Sequence, residues 1–362
     1  GLDLVEQMIR ISAGEPLLLR QADIGIKGWA VETRIYAEDP VRGFLPSVGR
    51  LTKYRTPDIS NSIRLENGVE EGDEISVFYD PMIAKLVTHG PDRKTAIDRS
   101  VSALESFVIR GVANNVSFLC AVLGRDRFKD GVYNTDFINQ EFPDGFDSIE
   151  MTNSIRNIFI AVGALAHVCE VSRGLRISGR SDGGRYRLGT DWMVSVGRAE
   201  YAIAANLTDE GCDVVLDGDV LQIKGKWVVG SPLFTGQVNG CRVDVQIDRL
   251  LNGLSLSHKG TTTRVVLRDT RAAALMAQMP KKLTSDTSLY VLSPMPGRVV
   301  RISVQPGDVV KTGQELAVVD AMKMENVLCA ERDCTIADVQ VVVGDSLSVN
   351  QVILELEPAT NI

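Results

Sequence analysis

Cysteine and histidine are too sparse and too scattered in this chain to build a metal centre. The six cysteines, Cys120, Cys169, Cys212, Cys241, Cys329 and Cys334, include no Cys-x-x-Cys pair and no secreted-type framework. They point to a reducing compartment. His89, His167 and His258 are dispersed, so structural or surface roles are expected for them and no metal is expected in the chain. No run approaches the roughly 18 apolar residues of a membrane-spanning helix. The longest near-apolar stretch, Ile158 to Val171, is interrupted by Gly163, His167 and Glu170, which reads as a buried helix. Positive charge is in deficit: 39 Lys and Arg against 47 Asp and Glu give a net charge of −8 and a pI near 5.1, which argues against nonspecific nucleic-acid binding. A Gly-rich phosphate loop followed by lysine and a metal-binding carboxylate pair are also missing, and Gly183-Gly184 and Gly211 are isolated turn formers. The chain as it stands is therefore expected not to cleave ATP.

What is present suffices for several cores. With 362 residues, 44% hydrophobic and 24% charged, two or three domains are expected. Gly1-Leu2-Asp3-Leu4-Val5-Glu6 enters directly into an amphipathic helix pattern without an initiator Met or a targeting sequence, so the chain is expected to be the tail of something longer.

The sharpest feature is a weak internal repeat around one lysine. Ser293 to Asp320 registers on Ala330 to Glu357: Pro306-Gly307-Asp308 falls on Val343-Gly344-Asp345, Val304 on Val341, Gln314 on Gln351 and Leu316 on Ile353. Val299, Ile302, Val304, Leu316, Val318 and Val319 mark short strands in the first half; Ile336, Val339, Val341, Val352, Leu354 and Leu356 mark them in the second. Two such halves joined by one tight hairpin predict a small flattened barrel whose midpoint residue is offered to solvent. That residue is Lys323, in Ala321-Met322-Lys323-Met324-Glu325-Asn326. The segment resembles the biotin carboxyl carrier domains, whose modified lysine lies in Ala-Met-Lys-Met. Lipoyl domains share the barrel, but usually have Asp before the lysine and Ala after it, whereas here Met322 and Met324 flank it. The resemblance implies covalent biotin on Lys323, attached by a biotin protein ligase. Asp320 stands where Glu is common and Cys334 at the repeat position of Gly297, a turn expected to prefer positive φ.

Near the other end, Gly28-Trp29-Ala30-Val31-Glu32-Thr33-Arg34-Ile35-Tyr36-Ala37-Glu38-Asp39-Pro40, Phe44-Leu45-Pro46-Ser47-Val48-Gly49 and Tyr79-Asp80-Pro81-Met82-Ile83-Ala84-Lys85-Leu86 occur in order. Alternation at Val31, Thr33 and Ile35 predicts a strand, and Thr95 to Phe107 and Asn114 to Leu123 are spaced as helices. These motifs resemble the C-terminal part of biotin carboxylase, an α+β subdomain. On that resemblance Arg34 is the catalytic residue: it matches the arginine that contacts bicarbonate and stabilises the enolate of biotin, work suited to a permanently charged fork. From the residues alone, a structural ion pair with Glu32 or Glu38 is the favoured reading of Arg34, and it is the resemblance that turns the reading to catalysis. Asp80 and Lys85 are read as scaffold.

Between these regions Ile155, Ile158, Phe159, Val162, Leu165, Ala166 and Cys169 form one apolar stripe of a helix. Eight short strands follow, at Trp192–Val196, Tyr201–Ala205, Asp213–Leu216, Val220–Ile223, Lys226–Val229, Arg242–Ile247, Gly253–Leu256 and Thr263–Leu267. A barrel or sandwich with the helix filling it is expected. Trp192 and Trp227 are read either as interface anchors or as core aromatics. No catalytic constellation occurs here, which favours a structural or interaction role. The polar segment 280–288, with Lys281-Lys282, is expected to act as a swinging linker.

The expected fold is thus α+β and multidomain: the C-terminal subdomain of biotin carboxylase (1–148), a helix-filled antiparallel β-barrel for subunit docking (149–279), a linker (280–288) and an all-β biotin carrier (289–358). This order resembles the biotin-bearing α subunits of acyl-CoA carboxylases, propionyl-CoA carboxylases above all. The resemblance implies ATP, Mg and bicarbonate as requirements of the full-length subunit and a carboxyltransferase β subunit as partner. It also implies a hetero-oligomer of α6β6 type in the bacterial cytoplasm or mitochondrial matrix, with no nucleic acid or membrane involved. Two other readings stay open: a noncatalytic carrier and assembly subunit of a biotin-dependent decarboxylase, and a lipoyl-bearing acyltransferase component.

Overall fold

The alternation at Val31, Thr33 and Ile35 becomes strand β1, Trp29–Tyr36, in which those three side chains are buried while Glu32 and Arg34 between them are exposed. The computed structural model describes every residue except 1, 77–78, 144, 147–150, 179–188, 280–288, 322–323 and 359–362. With β2 (Ile63–Asn67) and β3 (Met82–Gly90), β1 forms an antiparallel sheet of order β1-β3-β2. Helix α1, Leu4–Ser12, precedes it; its amphipathic pattern is as expected, and none of its residues is buried. Helix α2, Arg93–Ser106, starts where Asp92 accepts a 2.8 Å hydrogen bond from the Thr95 amide. It lays Ala96, Ile97, Ala103 and Leu104 over β3 to close a core with Ile35, Ile83 and Leu86. A short strand β4, Val108–Arg110, leads to helix α3, Val116–Gly124.

Helix α4, Asn153–Leu175, is enclosed by a closed barrel of eight antiparallel strands. These are β5 (Asp191–Val196), β6 (Ala199–Leu207), β7 (Gly211–Leu216), β8 (Asp219–Lys224), β9 (Leu233–Val238), β10 (Cys241–Arg249), β11 (Leu254–His258) and β12 (Thr261–Asp269). Each strand pairs with the next, and β12 closes on β5 from Trp192↔Asp269 to Val196↔Val265. The single apolar stripe expected of the helix is too narrow a description: every residue from Phe159 to Ala166 is buried, because the barrel surrounds that part of the helix. Gly163 permits the closest approach, since a Cβ there would lie 2.8 Å from Val265 Cγ1. This is also the one helix of the described residues long and apolar enough to cross a membrane, and the barrel accounts for its hydrophobicity.

Seven of the eight expected strands form, and one is misplaced. Lys226–Val229 is not a strand; β9 at Leu233–Val238 takes the fifth position. Trp227 is buried and its Nε1 donates to the Ser231 carbonyl at 3.0 Å, and Val229 packs on the same core. Their alternation therefore reflects packing of a loop, not a ladder. The interface-anchor reading of the tryptophans is overturned with it: Trp192 and Trp227 are only 3% and 8% exposed and belong to the barrel core.

The barrel is joined to the first domain through β10 and the β11–β12 turn. Arg110 Nε donates to Asp248 Oδ1 at 2.6 Å and Gln246 Nε2 to the Phe107 carbonyl at 2.5 Å. Glu105 accepts from the Lys259 amide at 2.7 Å and lies 2.7 Å from His258 Nδ1. The segment 280–288, including Lys281 and Lys282, lies outside the described residues.

The last domain is two facing four-stranded sheets. One has the order β13 (Tyr290–Leu292), β20 (Val352–Pro358), β18 (Cys334–Val339) and β15 (Val309–Val310). The other has β17 (Met324–Cys329), β16 (Glu315–Ala321), β14 (Gly297–Ile302) and β19 (Ser346–Leu347). The internal repeat is real at the level of hydrogen bonds. Gly307 N donates to Ile336 O and Ile336 N to Asp308 O; at the repeat positions Gly344 N donates to Val299 O and Val299 N to Asp345 O, all at 2.8–2.9 Å. Each turn also carries the same internal brace, Gln305 N to Asp308 Oδ2 in one half and Val342 N to Asp345 Oδ2 in the other. Cys334 departs from expectation. It has no positive φ, and it is fully buried within a ladder between Val310 and Pro358, so its side chain fills core instead of straining a turn.

Candidate functional site

Strands β16 and β17 form a hairpin whose register runs Val319↔Asn326, Asp320↔Glu325, Ala321↔Met324. Only Met322 and Lys323 separate that last pair in the sequence, and both lie outside the described residues. For Met324 the backbone pairing alone is described. The rung behind it consists of the exposed carboxylates Asp320 and Glu325, so the end of the hairpin is open to solvent at that rung. Its base is held from the first half of the repeat. Gly297 abuts the hairpin so closely that a Cβ there would lie 2.7 Å from the Asp320 carbonyl and 2.7 Å from Val319 Cγ1. Buried Met295 offers its sulfur to Asn326 Nδ2 at 3.6 Å. A primary amine in the short link between two paired strands is a suitable acceptor for acylation by an activated carboxylic acid.

Arg34 stands on the outward face of β1 between Glu32 and Tyr36. Its Nε donates to Glu32 Oε1 at 2.8 Å, so the ion pair anticipated with Glu32 or Glu38 forms with Glu32. Both side chains are about half exposed (55% and 44%), which leaves the pair little weight in stability. The hydrogen bond from Arg34 holds the Glu32 carboxyl below the usual range, with Lys85 and Arg64 adding to it, and Glu32, then Tyr36, raise the guanidinium further. Glu38 is a different kind of acid: burial pushes its carboxyl upward. Glu32, Arg34, Tyr36, Glu38, Phe44 and Phe118 line one groove of about 610 Å³. A permanent cation beside a desolvated carboxyl and aromatic walls suits the binding of a small group that develops negative charge. Lys85 is the cross-strand partner of Arg34. Asn115, which bonds the backbone on either side of Ile35, was not singled out from the sequence; an Asn at the start of a helix reads locally as a cap.

Three family models match successive parts of the chain. Residues 32–140 match the biotin carboxylase C-terminal domain, 159–282 the propionyl-coenzyme A carboxylase BT domain and 290–356 the biotin-requiring enzyme family. Arg34 falls in the first match and Lys323 in the third. The propionyl-CoA carboxylase alpha chain of Ruegeria pomeroyi is 39% identical over 99% of this chain, which covers 55% of that protein. The mitochondrial propionyl-CoA carboxylase alpha chain of Homo sapiens is 39% identical over 99% of this chain, which covers 50% of it. The methylcrotonoyl-CoA carboxylase subunit alpha of Mus musculus is 31% identical over 92% of this chain, which covers 47% of it. The chain thus spans about half the length of the curated relatives it matches. It is a homologue of the propionyl-CoA carboxylase alpha chains over the part of their length that it spans, with three domains that match families of biotin-dependent enzymes.

Proposed function

We propose that this chain is part of the biotin-bearing subunit of an acyl-CoA carboxylase that acts on a short acyl-CoA, of the propionyl-CoA carboxylase type. The observation that carries the reading is the Ala321↔Met324 register, which leaves Met322-Lys323 as the whole of the chain between two paired strands at the midpoint of the repeat. The residues fit biotin: Lys323 supplies the amine, Gly297 and Met295 brace the stalk, and the exposed Asp320–Glu325 rung leaves a ligase room to approach.

An unperturbed lysine has a pKa of about 10.4, so the ligase removes a proton before the nitrogen attacks. The Nζ–C bond then forms as the acyl group's activating group leaves, giving a neutral amide. When bound, biotin supplies a ureido nitrogen that accepts a carboxyl group and later gives it up. Arg34 presents a fixed positive charge to the oxygen on which negative charge develops, and the barrel docks the subunit on its partner. The full-length subunit uses ATP, Mg and bicarbonate for the first half-reaction. A separate carboxyltransferase β subunit, in an assembly of α6β6 type, completes the second. The domains divide at 148/149 and at the 280–288 linker, and the compartment is the bacterial cytoplasm or the mitochondrial matrix, a reading supported by relatives that include a bacterial chain and chains named as mitochondrial.

Coexpression with a biotin ligase followed by intact and peptide mass spectrometry tests the reading. A biotin adduct on the native chain that is confined to Lys323 and lost in Lys323→Arg is the expected result. An unmodified or lipoylated Lys323 overturns it.

A further inference from the structure

We infer that Asn115 is a positioning residue that sets the direction of Arg34, an inference that rests on the role proposed for Arg34 above. β1 is the edge strand of its sheet. The Ala37 amide donates to Pro81 O next to β3, so odd-numbered backbone groups turn inward and those of Arg34 and Tyr36 turn off the edge. The ladder is also irregular at this point. Ile35 pairs with Ala84 but Tyr36 with Met82, so Ile83 is an extra residue on β3. Bulges of this kind increase the local twist and re-aim neighbouring side chains.

Asn115 spans the irregularity. Its Nδ2 donates to the Arg34 carbonyl at 3.1 Å, its Oδ1 accepts from the Tyr36 amide at 3.0 Å, and its own amide donates to the Tyr36 carbonyl at 3.2 Å. One carboxamide thus gives β1 the donor and acceptor that a neighbouring strand would have given it, on both sides of Ile35. The side chain is committed to this task at a visible cost. Asn115 occupies the N-cap of α3, where its oxygen would ordinarily bond the first turn, yet it makes no such bond. It is only 6% exposed, so its polar atoms would be orphaned if β1 moved. At the same time Glu32 takes Arg34 Nε. The backbone is thus held by Asn115 and the guanidinium by Glu32 and then Tyr36, while Arg34 lines the groove.

The test is made in a full-length biotin-bearing subunit carrying this chain, with ATP-dependent carboxylation of free biotin as the assay and thermal unfolding as a fold control. Asn115→Ala removes both side-chain bonds and Asn115→Asp only the one to Arg34. Asn115→Ala is expected to lower kcat about tenfold, because misplacement of a reacting group by about an ångström is costly, and to leave KM for ATP unchanged. In an Arg34→Ala background the same change is expected to add less than about twofold, since both act through one guanidinium. If Asn115→Ala does not fold, Asn115→Asp carries the same comparison. Losses that multiply in the double variant, or a folded Asn115 variant with full kcat beside an impaired Arg34→Ala, overturn the positioning role alone. Full activity of Arg34→Ala overturns the reading of Arg34 itself.

Discussion

Replacing Gly163 by alanine puts the helix-in-barrel packing to a quantitative test, because helix propensity and tertiary packing predict opposite signs. Alanine in a helix interior is favoured over glycine by about 1 kcal/mol. Against this, the new Cβ would sit 2.8 Å from Val265 Cγ1, with Leu256 Cδ1 at 3.6 Å and Leu267 Cδ1 at 3.7 Å. Carbon pairs prefer about 3.5–4.0 Å, so Val265 would have to retreat. It has nowhere to go: it is fully buried, paired to Val196 on one side and Leu254 on the other, and its β-branched side chain has one stiff torsion. Overpacking of this kind costs about 1–3 kcal/mol, so Gly163→Ala is expected to lose about 1 kcal/mol net, a fall of about 2–4 °C in the barrel transition. Tryptophan fluorescence isolates that transition well, because Trp192 and Trp227 are buried in the barrel and Trp29 is half exposed already. Adding Val265→Ala should relieve the clash, making the double variant less unstable than the sum of the singles by about 1 kcal/mol. A rise in the Gly163→Ala midpoint, or strict additivity, would refute the claim that α4 is clamped against β12 at this point.

Two other tests follow from side-chain chemistry. Burial pushes Cys212 up to about 12 and raises the thiols of Cys120, Cys169 and Cys334 as well, whereas Cys241 and Cys329 are exposed. Alkylation of the native chain followed by peptide mapping should label Cys241 and Cys329 first, with the rest reacting only on denaturation. The Asp333 carboxylate accepts from the amide and hydroxyl of Thr312 at 2.8 and 3.0 Å, and the amide bond, then the hydroxyl, hold its pKa below the ordinary 3.8. The folded form therefore binds fewer protons than the unfolded one. Its contribution is present above pH 3.8 and lost as pH falls through the lower folded value. Calorimetry should show Asp333→Ala lowering the carrier transition at pH 6, with the difference shrinking in strong acid.

The carrier domain was the most legible part of the chain because its cues are local. Each Pro/Val-Gly-Asp turn is braced by its own aspartate, and the strands on either side alternate regularly. Seven barrel strands were legible for the same reason. β9 was not, since Thr235-Gly236-Gln237 interrupts any apolar alternation, while the buried loop residues Trp227 and Val229 imitate it. Cys334 was misjudged because the repeat partner Gly297 owes its missing side chain to the hairpin pressed against it, not to its φ. At the Arg34 groove, the residue itself was reached through a motif. Asn115 was not, because its partners lie 79 and 81 residues away and nothing local distinguishes it from a helix cap. The bonds from Glu105 and Arg110 to the barrel were hidden likewise: they join segments more than 130 residues apart.

The reciprocal bonding in the carrier domain constrains the order in which it can be made. The first-half turn at Gly307 and Asp308 is tied off by Ile336, and the second-half turn at Gly344 and Asp345 by Val299. Neither half has its full set of backbone partners until the other exists, and β18 needs β20, the last strand described. During synthesis the β16–β17 hairpin therefore emerges well before the framework that steadies it. A ligase that reads the finished shape of the stalk, and not merely the sequence around Lys323, has no substrate until translation has passed Val352–Pro358, so attachment of the cofactor would double as a check that the domain is complete.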